Sequence, residues 1–121
     1  MNAKHYVQLE VAKMLKEKGY DKERDFLAPV CTKDGVLYWS NHEDLSQMTP
    51  APTLLEAMDW LEERGIIIEI KYAYDEEGNE TFWLFDIYIN HEMVSGDMDV
   101  FSKDRNECMK AAIKKGLEYV E

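Results

Sequence analysis

The sequence predicts an α+β fold in which helices flank a three-stranded antiparallel sheet, with a further helix and a short extended segment at the N-terminus. Apolar residues recur at helical spacing around Leu54 and around Ile113, and at every second position between Ile66 and Ile89. Hydrophobic residues fill 45% of the 121 positions and 12% are aromatic, which is enough apolar surface for one core. We therefore expect a single domain over residues 1–121.

The N-terminal part, residues 1–51, is predicted to hold a helix and an extension. The helix covers Ala3 to Lys18, where four apolar residues share one face. These are Val7, Val11, Met14 and Leu15. Gly19 ends the helix, and Tyr20 follows at the position where a Schellman ending places an apolar contact.

Short extended and turn segments are predicted after this helix. Residues 26–31 and 36–39 are rich in strand-forming residues and predict a short extended pair. One helical turn is predicted to run through Leu45. The segment Thr49-Pro50-Ala51-Pro52 must be extended because a residue before proline avoids the helical region, and it is the candidate linker.

The second part, residues 52–121, is predicted to run helix, strand, strand, strand, helix. Thr53 and Glu56 match a capping box at the start of its first helix, which ends at Gly65. Trp60 falls off the apolar stripe of this helix, so it either covers the N-terminal segment or is an exposed anchor for a partner. The stripe consists of Leu54, Leu55, Met58 and Leu61.

Two strands with a period of two residues follow this helix. They cover Ile66 to Tyr74 and Thr81 to Ile89, and residues 75–80 join them. If Tyr74 pairs with Thr81, the apolar sides of both strands share one face, whereas a slip of one residue separates them. Burial therefore predicts this register, or a bulge with the same effect. The many aromatic residues of the two strands are predicted to pack in the core and the sheet, because no basic groove accompanies them.

A turn, a third strand and a helix are predicted to complete the chain. The turn covers residues 90–97, and the strand is Met98 to Phe101. The helix begins at Ser102 or Asp104. Gly116 marks a close approach of this helix to the sheet, since glycine inside a helix costs about 1 kcal/mol relative to alanine. The core face consists of Met109, Ala112, Ile113, Gly116, Leu117 and Val120.

The net charge of −11 is concentrated in the middle of the chain. Residues 34–102 contain sixteen carboxylates and only two basic residues, Arg64 and Lys71. Such a field repels nucleic acid and anionic membranes and attracts partners with basic surfaces. The alternative explanation is that the charge serves solubility alone.

Four segments of the second part carry a resemblance to a known family. They are Thr53-Leu54-Leu55 at the start of a helix, Leu61 to Gly65 at its end, Phe82 to Asn90 as a middle strand, and Ala111-Ala112-x-Lys114-x-x-Leu117-Glu118 in the last helix. In this order, residues 52–121 resemble the double-stranded RNA-binding domain. The resemblance implies a three-stranded sheet with a helix before it and a helix after it.

The same resemblance argues against that family's activity. RNA binding in the family depends on a basic run at the start of the last helix and on a loop with proline and histidine between the first two strands. Here the helix start reads Arg105-Asn106-Glu107-Cys108-Met109, and residues 75–80 include four carboxylates with neither proline nor histidine. Because phosphate contacts supply most of such binding, nucleic acid is an unexpected partner. Weak RNA binding through the topology alone stays an alternative.

The whole chain is also similar to small proteins carried by phages and mobile elements of gut anaerobes. The residues that carry this likeness are Leu9-Glu10-x-Ala12-Lys13-Met14-Leu15-Lys16-x-x-Gly19 and the helix start Pro52-Thr53-Leu54. This second resemblance implies a phage or mobile-element source and no particular activity.

Three groups of side chains could carry chemistry, and each has a plainer role. His42-Glu43-Asp44 and His91-Glu92 place imidazole beside carboxylate, but zinc-ligand spacing is missing, which favours surface loops. Cys31 and Cys108 are predicted to be reduced structural thiols. We predict no catalytic residue, metal or cofactor. The alternative is a small enzyme with a carboxylate or metal site, for which the sequence shows no constellation. Asp59, Glu62 and Glu63 lie on the exposed side of a helix, where paired acid–base chemistry would need a pocket.

The residues predicted to bind a partner lie mostly in loops of the sheet. They are Asp75, Glu76, Glu77, Glu80, Asp97, Asp99 and Trp60. We expect a non-catalytic interaction module that presents carboxylates to a basic protein; in a sharper alternative, these carboxylates imitate phosphates and occupy a nucleic-acid-binding site. A cytoplasmic, non-membrane location is expected because the sequence shows neither a membrane-spanning apolar run nor a secretory signal pattern.

Overall fold

A computed structural model of the chain describes residues 5–20, 30–33, 36–39, 49–95 and 102–120. The chain divides into two compact units, an N-terminal unit of residues 1–57 with residue 121 and a C-terminal unit of residues 58–120. Each unit combines helix with a three-stranded antiparallel sheet. The predicted α+β class is therefore confirmed.

The sheet of the N-terminal unit has three short strands. They are β1 (Val30–Lys33), β2 (Val36–Trp39) and β3 (Thr49–Pro50), in the order β2-β1-β3. The predicted linker therefore supplies an edge strand, where a proline that cannot donate a hydrogen bond is tolerated. Helix α1 (Leu9–Glu17) lies against β1 and β3. The helical turn predicted before Leu45 lies outside the described residues.

Helix α1 begins at Leu9, and the predicted start at Ala3 is wrong. The backbone N–H of Val7 donates to the carbonyl oxygen of Pro52 at 3.1 Å, and Tyr6 forms a β-bridge with Thr53. These contacts use the backbone ahead of the helix, and Gln8 is an extended N-cap. The pairing between distant segments thus overrides a helical pattern that would otherwise continue.

The C-terminal end of α1 is a Schellman motif, as predicted. Gly19 has a φ of +99°, which a residue without Cβ adopts without strain. The N–H of Tyr20 donates to the carbonyl of Leu15 at 2.9 Å, and the N–H of Gly19 donates to Lys16 at 3.1 Å. Three residues of α1 are buried: Val11, Ala12 and Leu15.

Helix α2 (Leu54–Glu63) begins in the N-terminal unit and ends in the C-terminal unit. Its predicted capping box is confirmed in both directions. The N–H of Thr53 donates to Glu56 Oε1, and the N–H of Glu56 donates to Thr53 Oγ1, each at 3.1 Å. The helix ends at a turn in which Gly65 has a φ of +83°.

The sheet of the C-terminal unit contains β4 (Ile66–Tyr74), β5 (Thr81–Ile89) and β6 (Glu92–Ser95), in the order β4-β5-β6. Tyr74 pairs with Thr81, and the pairing runs without a shift to Ile66 opposite Ile89. The predicted register is therefore confirmed. One face, called here the helix face, consists of Ile66, Ile68, Ile70, Tyr72 and Tyr74 with Trp83, Phe85, Ile87 and Ile89.

The third strand is β6, so the predicted turn over residues 90–97 is wrong at Glu92–Ser95. Asn90 and His91 have φ values of 53° and 69°, and Ile89 pairs with Glu92. A two-residue turn with both φ values positive matches the twist of a hairpin. The chain therefore reverses immediately after β5. The strand predicted at residues 98–101 lies outside the described residues.

Helix α3 (Arg105–Leu117) lies against β4 and β5. Asp104 is its N-cap and accepts a hydrogen bond from the N–H of Glu107 at 3.1 Å. The close approach predicted at Gly116 is confirmed, since a Cβ placed there would lie 3.2 Å from Leu61 Cδ1 and 3.4 Å from Ile68 Cδ1. The buried apolar residues of the C-terminal unit include Leu61, Ile66, Phe85, Ile87, Met109, Ala112, Ile113 and Leu117.

Candidate functional site at the acidic hairpin tip

The loop between β4 and β5 gathers most of the predicted partner-binding residues. Residues 75–80 form this loop and include Asp75, Glu76, Glu77 and Glu80. The other two predicted carboxylates, Asp97 and Asp99, lie outside the described residues. The hairpin register alone therefore brings four of the six predicted carboxylates to one tip.

Asp75 holds the loop in shape. Its backbone N–H donates to the carbonyl of Glu80 at 3.0 Å, which closes the hairpin. Its carbonyl accepts from the N–H of Gly78 at 3.0 Å, and its Oδ1 accepts from the N–H of Asn79 at 2.8 Å. Gly78 has a φ of +71°, a conformation that favours glycine. The Oδ1 atom of Asp75 therefore stabilises the loop.

The three glutamates of the loop are exposed to solvent. Glu77 Oε2 accepts a hydrogen bond from the side-chain amide of Asn79 at 3.0 Å, which orients one of the three carboxylates. Glu76 and Glu80 lie on either side of this pair in the sequence. The loop thus presents three negative charges on a backbone that its own hydrogen bonds define.

Two exposed tyrosines lie next to these charges on the helix face of the sheet. Tyr72 is 55% exposed and Tyr74 is 69% exposed, so the predicted packing in the core is wrong for both, and Tyr72 packs on the sheet. Their ring centroids are 6.3 Å apart with an interplanar angle of 45°, and the Tyr72 ring lies 5.2 Å from the Trp83 ring. The alternating strand pattern predicted their face but gave no sign of where the covering helix ends.

The start of α3 is attached to the same end of the sheet. Ser102 and Trp83 exchange two backbone hydrogen bonds of 2.7 and 3.1 Å. The guanidinium carbon of Arg105 lies 5.8 Å from the centre of the Trp83 ring, within the range of a cation–π interaction. Trp83 thus has contacts to its backbone and to its ring in addition to its contact with Tyr72.

The exposed side chains at this end form what we call the tip surface. It consists of Tyr72, Tyr74, Glu76, Glu77 and Glu80. Aromatic rings with a negative face lie beside carboxylates, and both groups attract cations. The tip surface therefore combines two kinds of group that are chemically suited to a cation.

Trp60 does not belong to this surface. Its side chain is only 6% exposed, so its predicted role as an exposed anchor is wrong. The guanidinium carbon of Arg64 lies 3.5 Å from the centre of the Trp60 ring, and Arg64 Nη1 donates to the carbonyl of Trp60 at 3.2 Å. Arg64 follows one helical turn later and covers the indole.

Two buried titratable groups lie elsewhere in the C-terminal unit. Burial raises the pKa of the Cys108 thiol to about 11, so this free cysteine is protonated and weakly nucleophilic near neutral pH. Asp86 is 7% exposed and forms an ion pair with Lys71, whose pKa is raised mainly by its hydrogen bond to Asp86. Among the residues that the structure describes, no group of three potential metal ligands lies together.

Comparisons with known proteins give no relative: the chain matches no protein-family model, no curated protein and no solved structure. Within the described part of the chain, no helix combines the length and the apolar character needed to cross a membrane. Function therefore has to be inferred from the geometry of the tip surface itself.

Proposed function

We propose that the protein is a non-catalytic interaction module that binds a basic protein segment at the tip surface. The observation that carries this proposal is the juxtaposition of two exposed tyrosines with three exposed glutamates at one end of a hairpin. Large aromatic side chains are enriched in protein interfaces because they provide much contact area for few rotatable bonds. The same carboxylates would repel the phosphates of a nucleic acid.

The rigidity of the tip supports this proposal. Asp75 and Gly78 define the loop, and Ser102 pairs with the backbone of Trp83 on the side away from β4. A surface that is already ordered loses little conformational entropy when a partner binds. Cation–π contacts and charge-assisted hydrogen bonds to the partner would then increase the affinity without first having to offset the cost of ordering the loop.

The partner is expected to present arginine more effectively than lysine. Arginine stacks on aromatic rings and donates paired hydrogen bonds to carboxylates, whereas lysine acts as a compact point charge. Long-range attraction by the acidic middle of the chain would accelerate encounter with either type of partner. Selectivity for arginine would therefore come from the tyrosines, and salt sensitivity would come from the glutamates.

The test measures binding of the full chain to two fluorescent peptides of equal length, one of arginines and one of lysines. We expect tighter binding of the arginine peptide and weaker binding of both at high salt. Reversal of the three tip charges, in the variant E76K/E77K/E80K, should lower the affinity more than about tenfold.

The matched control reverses three exposed carboxylates away from the tip, in the variant D59K/E62K/E92K, and so has the same net charge. If both triple variants lose affinity equally, the attraction belongs to the overall field and the tip is not a binding site. If Tyr72→Ala and Tyr74→Ala leave the preference for arginine unchanged, the tyrosines have no role in recognition.

A further inference from the structure

The two edges of the sheet in the C-terminal unit differ in how they are protected. Strand β6 has four residues and an irregular register against β5, and its Val94 carbonyl accepts a hydrogen bond from the Tyr119 hydroxyl at 3.2 Å. Strand β4 has nine residues in unbroken register and, within the described part of the chain, pairs only with β5. Short and bulged edges resist pairing, whereas long regular edges invite it.

The backbone groups of β4 that point away from β5 can be identified. The hydrogen bond from the Asp75 N–H to the Glu80 carbonyl makes this pair a hydrogen-bonded one, and such pairs alternate along an antiparallel ladder. Trp83 agrees with this alternation, because its N–H and C=O point away from β4 to Ser102. The residues of β4 that direct N–H and C=O to the free edge are therefore Ile66, Ile68, Ile70, Tyr72 and Tyr74.

The side chains of β4 select one register for pairing with a second copy of itself. An antiparallel pair centred on Ile70 places Glu69 of each copy opposite Lys71 of the other, so two opposite-charge pairs form. Centring on Glu69 sets two glutamates against each other, and centring on Lys71 sets two lysines against each other. The register centred on Ile70 therefore has complementary charges where both neighbouring registers have like charges.

We propose that two copies of the chain join their β4 strands in antiparallel fashion about a two-fold axis at Ile70. The two three-stranded sheets then form one six-stranded sheet. Ile67, which is 40% exposed, comes opposite Ala73 of the other copy, and exposed apolar surface is covered. The same register places the acidic loops at opposite ends of the joined strands, each nearest to Arg64 of the other copy, so the two most negative regions stay apart.

The dimer does not depend on the loop glutamates, but it does border the tip surface. It is held by backbone groups and by Glu69 and Lys71 on the opposite face of β4. It also places Tyr72 and Tyr74 opposite Ile68 and Ile66 of the other copy, whereas the proposed binding of a basic segment uses these two rings together with the glutamates of the loop. A dimer would present two tips that face away from each other, which would raise the avidity for a partner with several basic segments. The peptide assay is therefore run at a concentration at which the chain is monomeric, so that failure of peptide binding and failure of the dimer can be distinguished.

Sedimentation of the full chain over a range of concentrations tests the proposal. The wild type should sediment as a dimer at high concentration. Glu69→Lys sets lysine against lysine, so it should be monomeric. Lys71→Glu sets glutamate against glutamate and should also be monomeric; it is made together with Asp86→Asn, because Lys71 is the ion-pair partner of the buried Asp86. An equimolar mixture of the two restores both opposite-charge pairs and should recover a dimer. The control Glu92→Lys makes the same charge change on β6 and should dimerise like the wild type.

Amide hydrogen exchange gives a second measurement that does not depend on the variants. The amides of Ile68, Ile70 and Tyr72 should become protected as the concentration rises, while Glu69 and Lys71 are protected at every concentration because they donate to β5. Circular dichroism checks that the variants fold. A wild type that stays monomeric with unprotected amides at those three positions would overturn the proposal, as would a mixture of folded variants that stays monomeric.

Discussion

The two halves of the helix face of β4 and β5 differ in exposure to solvent. Near Ile66 and Ile87 the side chains are aliphatic and buried beneath α3, whereas at Tyr72 and Tyr74 they are aromatic and exposed. The strands, their register and their alternation are continuous between the two halves. The two halves therefore differ in whether a helix covers them. The residue types match this difference, because the hydroxyl group of tyrosine tolerates contact with water whereas an aliphatic side chain does not.

The largest expected effect is a difference in stability between these halves. Ile87 is fully buried, so Ile87→Ala should lower the free energy of unfolding by about 2–5 kcal/mol through lost burial and an unfilled cavity. Tyr72→Ala should lower it by less than about 1 kcal/mol, because more than half of that side chain is already in water. Urea denaturation measures both values. Equal losses would mean that the two halves are packed alike.

A smaller effect is expected where α3 comes closest to the sheet. Gly116→Leu forces a side chain into the space beside Leu61 and Ile68, and overpacking of this kind costs about 1–3 kcal/mol. Gly116→Ala is the matched control, since about 1 kcal/mol gained in helix propensity offsets the tight contact of one methyl group. The midpoint of thermal unfolding should therefore be similar for the wild type and Gly116→Ala and clearly lower for Gly116→Leu. A well-tolerated leucine would show that the helix can move off the sheet.

Much of this architecture could be predicted because it depends on local chemistry. The capping box at Thr53, the helix end at Gly19 and the close approach at Gly116 each follow from one residue type at one position. The register of the hairpin followed from burial, because only the pairing of Tyr74 with Thr81 places both apolar sides on one face.

The wrong predictions concern residues whose structure depends on a distant contact or on an unusual backbone conformation, which a local sequence pattern does not indicate. The turn before β6 has positive φ at Asn90 and His91. The second of these positions usually holds glycine, so Gly96 led to a turn predicted too far along the chain. Trp60 is buried although it lies off the apolar stripe, and the Arg64 guanidinium lies over its ring. For the tip surface, the sequence predicted the charges of the loop but missed the tyrosines beside them.

The free energy of unfolding is expected to depend on pH because of a buried thiol in α3, the helix that covers the aliphatic half of the helix face. Burial raises the pKa of Cys108 to about 11 from an ordinary value of 9.0, so the folded protein keeps the thiol protonated after the unfolded chain has released its proton. The titration of this thiol therefore leaves the free energy of unfolding unchanged below about pH 9 and lowers it as the pH rises towards 11. Lys71 adds a loss of the same sign above its ordinary pKa of 10.5, since its folded pKa is also raised.

Denaturation of the wild type and Cys108→Ala at several alkaline pH values isolates the thiol, because lysines and tyrosines titrate alike in both proteins. The variant should lose less stability than the wild type between about pH 9 and 11. In the native protein near neutral pH, Cys108 should also react slowly with thiol reagents, since it is buried and protonated. Identical slopes would mean that the thiol is accessible in the folded state.

The smallest expected effect lies at the tip itself. Tyr74→Ala should change the free energy of unfolding by no more than about 0.5 kcal/mol, because a surface substitution away from a cap or a buried group rarely does more. The same variant is expected to weaken binding of the arginine peptide, so stability and binding separate at one residue. If Tyr74→Ala instead destabilises the protein as much as a core substitution, the ring is part of the packed sheet and the contrast between covered and exposed halves fails. We expect a surface that binds a partner to contain residues of this kind, which contribute to binding and not to folding.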